Sequence, residues 1–387
     1  MPLFPHWRLS AWYFFYFAFI GAFAAYFTLY LQSLGLGAFA ISVLMALMQV
    51  MRLVAPPLWG WLADRAGRKV PVVQVSAVLS LAGFGIFFLT HDFAGLFLAM
   101  ATMAFFWSAA LPLVEALTLA QLAGQTEHYG RVRLWGSVGF IVAVTSTGAL
   151  LDATSLKTLL WVCFSLLAGV VVFALLLKDA SSQGAPPEPV RLGPELRRPL
   201  ALVFLTACFF MAAAHGPYYF FYSIHLNGAG YDKTTVGALW ALGVVAEIFV
   251  FIAMPRLLRA FSLKDILLAS MALAVLRFLI IGWGVSSLSL LLFAQLLHGA
   301  TFGSFHAGAV AALNRWFVPQ HQARVQAIYG SISFGAGGMT GGLVAGQTWE
   351  QLGAGATFSI GSAFAVVGFL LLWWGMSESS SETGKAR

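Results

Sequence analysis

Long apolar segments recur along the whole chain and limit what it can fold into. A helix needs about 20 apolar residues to cross a bilayer's hydrocarbon core. Segments of that length number twelve: 10–32, 39–63, 70–90, 93–120, 130–152, 156–177, 200–225, 234–256, 264–284, 287–313, 324–348 and 355–376. Only 9% of the residues are charged, against about 25% in soluble proteins. The sequence therefore predicts an all-α integral membrane protein with twelve transmembrane helices.

The longest polar stretch divides these segments six and six. It lies between the sixth and the seventh and contains Ser181, Ser182, Pro186, Pro187 and Pro189, a composition typical of a linker. We predict an N-terminal six-helix bundle over residues 1–178 and a cytoplasmic linker over 179–199. A C-terminal six-helix bundle over 200–376 and a tail over 377–387 complete the predicted organisation.

The basic residues predict the orientation of the helices. With the N-terminus inside, sixteen of the 21 Lys and Arg residues fall at inner ends, and only Lys157 and Lys233 fall in outer loops. This asymmetry predicts a multi-pass protein with both termini in the cytoplasm. We expect the membrane to be a bacterial inner membrane. It also explains the net charge of +7 without a nucleic-acid partner. No cleavable signal pattern precedes the first segment, so we expect that helix to be retained.

Six of the ionisable side chains inside the apolar segments are the main candidates for function. Each formal charge at the centre of a bilayer costs about 2.5–3.5 kcal/mol on insertion scales, so such groups are paired or line a watery cavity, and they mark function. They are Arg52, Glu115, Arg133, Glu247, Arg277 and His298.

Some of these groups share a depth in the membrane. Consecutive spans run antiparallel, and Glu115 and Arg133 are equally far along the chain from the loop between their spans. Glu247 and Arg277 are related in the same way, and His298 lies near the middle of the tenth span. Each set is therefore predicted to lie at one level, while the rotation of each side chain about its helix stays open.

The loop after the second span reads Gly60-Trp-Leu-Ala-Asp64-Arg65-Ala-Gly67-Arg68-Lys69. Basic residues at this position anchor a loop on the inner face. The string also resembles the signature loop of the major facilitator superfamily, which places Gly, Asp-Arg, Gly and Arg-Lys in this order. The resemblance implies a gating role for Asp64, Arg65 and Arg68. We assign Arg52, which has no predicted partner, to the same gating group.

The resemblance extends over nearly the whole chain. The segments 129–137, 242–247 and 297–302 resemble the phenylpropionate permease branch, which groups with sugar and nucleoside proton symporters. The order of acid, Arg, acid, Arg and His on spans four, five, eight, nine and ten also resembles lactose permease. The second acid that lactose permease has after this His is absent. The resemblance implies the major facilitator fold, two pseudo-symmetric six-helix bundles that work by alternating access.

Roles for individual residues follow from this resemblance. It implies that Glu247, Arg277 and His298 carry a coupling proton. A small-molecule substrate would be bound by the acid, the base and aromatic side chains of the cavity, namely Glu115, Arg133, Tyr16, Trp135 and Tyr219. We expect proton symport of an aromatic carboxylate such as phenylpropionate by a monomer in the lipid bilayer. A sugar or nucleoside symporter is the alternative.

Other classes of protein find less support in the sequence. There is no P-loop, which argues against transport driven by ATP, and no cofactor or metal motif. Cys163 and Cys208 both lie in apolar segments and are expected to be structural. A membrane enzyme would need a nucleophile–base or metal cluster, and a channel would need a filter motif. The eleventh span is dense in glycine, which permits close helix packing, and we interpret it as a sliding interface between the two halves.

Overall fold

The computed structural model of the protein describes residues 6–122, 128–179, 193–318 and 321–376. Within them all regular secondary structure is helical. The helices are α1 (Trp7–Ser33), α2 (Ala38–Ala66), α3 (Val70–Gly85), α4 (Phe93–Leu122), α5 (Tyr129–Ala153), α6 (Thr158–Leu176), α7 (Gly193–Leu196), α8 (Pro199–Ala214), α9 (Gly216–Gly228), α10 (Lys233–Ala260), α11 (Leu263–Trp283), α12 (Leu288–His298), α13 (Ser304–Trp316), α14 (Gln322–Gly330) and α15 (Gly338–Gly375). A 3₁₀ turn, Ile86–Phe88, follows α3. Two π-helical segments, Gly299–Gly303 and Ser331–Gly337, connect α12 to α13 and α14 to α15.

Eleven helical stretches within these ranges are long and apolar enough to cross a membrane. The seventh predicted span contains α8 and α9, which meet at the Gly216-Pro217 kink. Most of the predicted linker, residues 180–192, and the whole predicted tail, residues 377–387, lie outside the described residues.

The last two predicted spans lie in a single stretch, Arg324–Gly375, of 52 residues. A straight helix of that length would measure about 78 Å, more than twice the hydrocarbon core of about 30 Å. Gly353 interrupts it with φ 79° and ψ 168°, a conformation that glycine adopts without steric cost. The chain therefore changes direction at a single glycine, where the sequence pattern had predicted a loop.

Contacts between residues group the chain into two compact units. The first contains residues 1–185 and 226–241, and the second contains residues 186–225 and 242–387. In the first unit α1 packs against α5 and α6, and α4 packs against α2 and α3. A Cβ on Gly21 would lie 2.7 Å from the carbonyl oxygen of Phe140, and a Cβ on Gly139 would clash with the carbonyl oxygen of Phe14. These glycines let the α1 and α5 backbones approach closely.

The end of α5 holds the start of α10 within the first unit. Asp152 accepts hydrogen bonds from the backbone N–H groups of Lys233 (3.0 Å) and Thr234 (2.7 Å), and also from the Thr234 hydroxyl. A carboxylate at this position caps the orphan N–H groups of the helix. The Tyr26 hydroxyl donates to the carbonyl oxygens of Val144 and Lys233. These bonds fix the first turn of α10 against α1 and α5.

In the second unit α15 packs along α8 and α11. Its glycines make this possible: a Cβ on Gly341 would clash with the carbonyl oxygen of Ala213, and a Cβ on Gly342 would clash with the Phe220 ring. The close packing predicted from the glycine-dense segment is therefore present at these two positions. Both contacts lie within the second unit and are not part of a sliding interface between the halves. Gly330, at the end of α14, has nothing within 4 Å of its added Cβ.

We expect Gly341→Ala to destabilise the protein, because its methyl group would force α15 away from α8. Overpacking of this kind costs about 1–3 kcal/mol. The apparent melting temperature of the purified protein in detergent should fall by several degrees. Gly330→Ala is the matched control and should leave the melting temperature unchanged or raise it slightly. Equal melting temperatures for the two variants would show that the α8–α15 contact tolerates a methyl group.

Candidate functional site

In the first unit, Arg133 lies on aromatic rings of α1. Its guanidinium carbon is 3.8 Å from the centroid of the Phe17 ring and 5.7 Å from that of Tyr13. Gly136, almost one turn further along α5, leaves room for this arrangement: a Cβ there would lie 2.6 Å from Phe17 Cδ2 and 2.8 Å from Arg133 Nη1. Among the residues that the structure describes, no carboxylate oxygen lies within 4 Å of the Arg133 guanidinium. Cation–π interactions with these rings therefore stabilise its positive charge.

Glu115 lies near Arg133 without forming an ion pair with it. Glu115 is partly buried on α4, and its Oε1 accepts a hydrogen bond from the Tyr129 hydroxyl at 3.4 Å. The two charges are close enough to interact electrostatically. Nearby, the Tyr13 hydroxyl and Thr118 Oγ1 are hydrogen bonded at 3.2 Å. The shared level predicted for Glu115 and Arg133 thus brings them into one cluster, in which Tyr129 is the bonded partner of the acid.

Tyr16 is the centre of the same cluster. Its ring stacks on Trp107 at 4.1 Å and on Trp12 at 4.8 Å, so both of its faces are covered. Arg52, Glu115 and Arg133 all interact electrostatically with its hydroxyl. The exposed side chain of Arg52 therefore belongs with this cluster, whereas the end of α2 that leads into the signature loop is about 21 Å away along the helix.

Trp135 and Tyr219 are the two further residues that the sequence predicted to bind substrate. Trp135 is 41% exposed, and its position two residues after Arg133 places it about 200° away around α5. Tyr219 belongs to the second unit, where its ring lies 6.0 Å from that of His215 and 5.3 Å from that of Tyr218.

In the second unit, Arg277 is completely buried and is also held by a ring. Its guanidinium carbon lies 4.3 Å from the centroid of Tyr218. Its Nε donates to the carbonyl oxygen of Ala294 (3.0 Å), and its Nη1 donates to Thr301 Oγ1 (3.4 Å). The Tyr218 hydroxyl donates to Gln295 Oε1 at 3.2 Å. In the described part of the chain no carboxylate oxygen lies within 4 Å of Arg277.

Glu247 and His298 form the second polar pair of this unit. Glu247 Oε2 lies 3.7 Å from His298 Nε2, and the side chains are 19% and 6% exposed. The His298 ring lies 5.6 Å from the Tyr218 ring. Two of the three predicted coupling residues are thus in contact, and Tyr218 lies between the third, Arg277, and His298.

Sequence reasoning missed Tyr218, Gln295 and Thr301. Gln295, His298 and Thr301 follow one another at three-residue spacing, which places them on one side of a helix, and that spacing was available in the sequence. The choice of Tyr219 over Tyr218 depended on rotation about the helix axis, since adjacent residues point about 100° apart.

The signature loop begins at a left-handed glycine. Gly67 has φ 63° and follows the last residue of α2, and its N–H donates to the carbonyl oxygen of Asp64. A positive φ at this position is the usual helix C-terminus for glycine, which explains one glycine of the motif. The Arg65 guanidinium lies over the Trp61 ring at 5.5 Å, and the Asp64 side chain is exposed.

Asp179, just beyond α6, binds the other end of this loop. Its Oδ1 accepts hydrogen bonds from the N–H groups of Lys69 (3.0 Å) and Val70 (2.9 Å), and its Oδ2 pairs with Arg68 Nε at 3.1 Å. Lys69 cannot cap α3 with its own side chain, and none of the preferred capping residues precedes the helix. This missing cap was the available sequence signal for a remote acid, and Asp179 supplies it.

We expect Asp179→Ala to release the first turn of α3. Loss of a helix cap costs about 0.5–2 kcal/mol, so the amides of Lys69 and Val70 should exchange hydrogen for deuterium about 2- to 30-fold faster. Asp92→Ala is the matched control, because Asp92 accepts from the Gly95 N–H at the start of α4 and should affect only that region. Unchanged exchange at Lys69 and Val70 in Asp179→Ala would rule out this capping role.

Within the described residues, no group of three or more His, Cys, Asp or Glu side chains is arranged to hold a metal ion. Cys163 and Cys208 are buried and free. The side chains of the two clusters provide charges, hydroxyls, imidazoles and aromatic rings, which can bind a polar solute and exchange protons.

Comparison with known proteins shows the family of the chain. A family model described as the MFS_1 like family matches residues 6–360. A probable 3-phenylpropionic acid transporter of Escherichia coli is 30% identical over 355 residues, covering 90% of this chain and 92% of the relative. The maltose permease of Geobacillus stearothermophilus is 27% identical over 366 residues and 92% of each chain.

A solved structure shows the same fold. The crystal structure of the nucleoside transporter NupG superimposes with a TM-score of 0.84, at 18% identity, over 96% of this chain and 98% of NupG. The family model and the 30% identical relative confirm the sequence resemblance to the major facilitator superfamily. The chain belongs to the MFS_1 like family and is a multi-pass membrane transporter rather than an enzyme.

Proposed function

We propose that the protein is a proton-coupled symporter that carries a small aromatic carboxylate into the cell by alternating access. In this proposal it is a monomer in a bacterial inner membrane, with twelve crossings and both termini in the cytoplasm. The bundles are residues 1–178 and 200–376, joined by the linker 179–199 and followed by the tail 377–387. Substrate and proton bind to separate clusters, one in each unit.

The observation that carries the substrate proposal is the environment of Arg133. Its guanidinium rests on Phe17 with no carboxylate within 4 Å among the described residues. Around the Tyr16 hydroxyl two cations, Arg52 and Arg133, face one acid, Glu115. An excess positive charge at membrane depth favours an anion, and a guanidinium binds a carboxylate through two parallel hydrogen bonds.

The aromatic side chains suggest how the rest of the substrate is held. Both faces of Tyr16 are covered by indole rings, so Tyr16 would contact the substrate through its hydroxyl. Arg133 would bind the carboxylate of the substrate. Glu115 and Tyr129 would help to orient the substrate. Tyr219, on α9, remains a candidate for ring contact, whereas the position of Trp135 argues against a direct role.

Glu247 is proposed to carry the coupling proton, and His298, 3.7 Å away, to exchange it. Arg277 is fixed by a ring, a carbonyl oxygen and a hydroxyl, so it would act as a stationary positive charge. Asp64, Arg65 and Arg68 are proposed to gate the inner face, and the Arg68–Asp179 ion pair supports a role for Arg68 in holding that loop.

The alternative is a sugar or nucleoside symporter. It is favoured by the 27% identity to a maltose permease and by the fold shared with NupG. A neutral solute would not need an uncompensated guanidinium, so the charge at Arg133 distinguishes the two proposals.

Uptake into proteoliposomes with an imposed proton gradient tests the coupling. We expect 3-phenylpropionate, rather than maltose or uridine, to accumulate, and a protonophore to abolish accumulation. Protein-free liposomes are the essential blank, because a weak acid distributes by itself across a pH gradient. Protein-dependent accumulation that survives the protonophore would refute proton coupling.

Glu247→Gln should abolish gradient-driven accumulation yet preserve exchange of labelled for unlabelled substrate, because the amide cannot carry the proton. Glu350→Gln, at an exposed position on α15, is the matched control and should behave as the wild type. Full accumulation by Glu247→Gln would remove Glu247 from the coupling role.

Arg133→Lys should raise the KM for 3-phenylpropionate about tenfold or more, because lysine cannot make the bidentate bond. Arg131→Lys, exposed on the same helix, controls for the change itself. Gly136→Ala should weaken binding without removing any charge, since its methyl group would displace Arg133 and Phe17. Gly130→Ala, with open space around its Cβ, is the control. An unchanged KM in both Arg133→Lys and Gly136→Ala would contradict an anion site at Arg133.

A further inference from the structure

Three rings form a stack along the helix that contains His298. The Phe302 ring lies 5.4 Å from the His298 ring at an interplanar angle of 15°, and 6.1 Å from the His306 ring at 12°. The π-helical segment Gly299–Gly303 lies between the two histidines. Such segments are rare and are often found at functional sites. An apolar ring thus separates the Glu247–His298 pair from a second imidazole.

The second imidazole has a polar partner on another helix. His306 Nδ1 and the hydroxyl of Tyr329, on α14, are hydrogen bonded at 3.1 Å. Phe334, in the second π-helical segment, packs against both Phe302 and His306. Its ring centroid lies 6.1 Å from that of Phe302 and 5.8 Å from that of His306. The His306–Tyr329 pair is therefore a defined polar site beyond the Phe302 ring.

Exposure rises along this helix face toward the end of α13. His298 is 5% exposed, Phe302, His306 and Val310 are partly exposed, and Asn314 is exposed. At 1.5 Å per residue His298 lies about 27 Å and His306 about 15 Å from Trp316 at the end of α13, which the basic residues place on the cytoplasmic side. The face is thus most accessible where a proton would leave for the cytoplasm.

We propose that His306, held by Tyr329, is the proton-transfer group between the Glu247–His298 pair and the cytoplasm, and that Phe302 is the barrier between them. The proposal rests on proton symport as proposed above. The proton leaves the Glu247 carboxyl group for a ring nitrogen of His298. When Phe302 turns aside, water carries it to His306, and His298 becomes neutral again. His306 then releases the proton to cytoplasmic water and also returns to its neutral form.

Titratable groups from several helices surround this route. Tyr329 comes from α14, and the buried thiol of Cys208, on α8, lies near it. Glu247 comes from α10 and packs against the π-helical segment, where its Cγ would lie 3.2 Å from a Cβ on Gly303. Arg277 comes from α11. His215 follows α8, and its ring lies 6.4 Å from the His298 ring and 6.2 Å from the Phe302 ring. Among the ionisable side-chain types along this route, only imidazole ordinarily gains and loses a proton near neutral pH. His306 is therefore suited to the transfer.

The test uses the full-length protein in proteoliposomes that contain the pH dye pyranine, with 3-phenylpropionate, maltose and uridine as separate solutes. His306→Gln retains a hydrogen-bonding side chain for Tyr329 but cannot carry a proton. We expect solute-dependent proton entry to slow at least about tenfold, in line with the loss of a proton-transfer group, while solute exchange continues. Imidazole in the lumen at millimolar concentration should restore the rate. His225→Gln, at a histidine bonded to the Ile281 carbonyl oxygen, is the matched control.

Phe302→Ala provides a second and independent measurement. Removal of the ring should allow proton entry without any solute, whereas Phe302→Leu, which keeps an apolar barrier, should remain tight. This measurement does not depend on the substrate.

The outcomes separate this proposal from the transport proposal. Wild-type protein that moves no protons with any of the solutes would refute proton symport and the relay together. Coupled wild-type protein with full proton entry in His306→Gln would refute the relay alone. Slow entry that imidazole fails to restore would show that His306 is structural. A proton-tight Phe302→Ala would refute the barrier.

Discussion

The free-energy cost of an arginine in a hydrocarbon layer governs which side chains surround Arg133 and Arg277. Arg133 lies 3.8 Å from the Phe17 centroid and Arg277 lies 4.3 Å from the Tyr218 centroid, and among the described residues neither has a carboxylate within 4 Å. A desolvated cation–π contact contributes about 2 kcal/mol or more, comparable to the insertion cost of one charge. The rings therefore stabilise the guanidinium groups without neutralising them.

Because aromatic rings stabilise the arginines, the two partly buried acids do not form ion pairs with them within the described residues. Glu115 is bonded to a tyrosine hydroxyl and Glu247 is paired with a histidine. An acid locked to an arginine would lose its capacity to take up a proton, because an adjacent positive charge favours the carboxylate. The two units use the same solution with different exposure. Arg133 is partly accessible, as the proposed anion site requires, whereas Arg277 is completely buried, as the proposed stationary charge requires.

Residue types and depth could be predicted from the sequence, but rotation could not. Apolar length predicts the spans, and counting from the loops brings Glu115 near Arg133. Counting cannot decide between Tyr218 and Tyr219, or find that Trp135 points away from Arg133, because an error of one residue turns a side chain by about 100°. Asp179 was missed because its partners, two backbone amides, lie more than 100 residues away in the chain. Gly353 lies in the loop predicted between the last two spans. The sequence pattern does not show that one glycine makes the turn.

The π-helical segment Gly299–Gly303 makes the alignment of the two histidines a matter of residue count. A π turn holds one residue more than the α turn it interrupts, so the face that begins at His298 continues through His306 only while that extra residue is present. Deleting one residue there would turn all that follows by about 100°, carrying His306 off the face with hardly any change in composition. Two relatives could thus have the same histidines and differ in whether these lie on one helix face. In a sequence alignment the difference would be visible only as a gap of one residue.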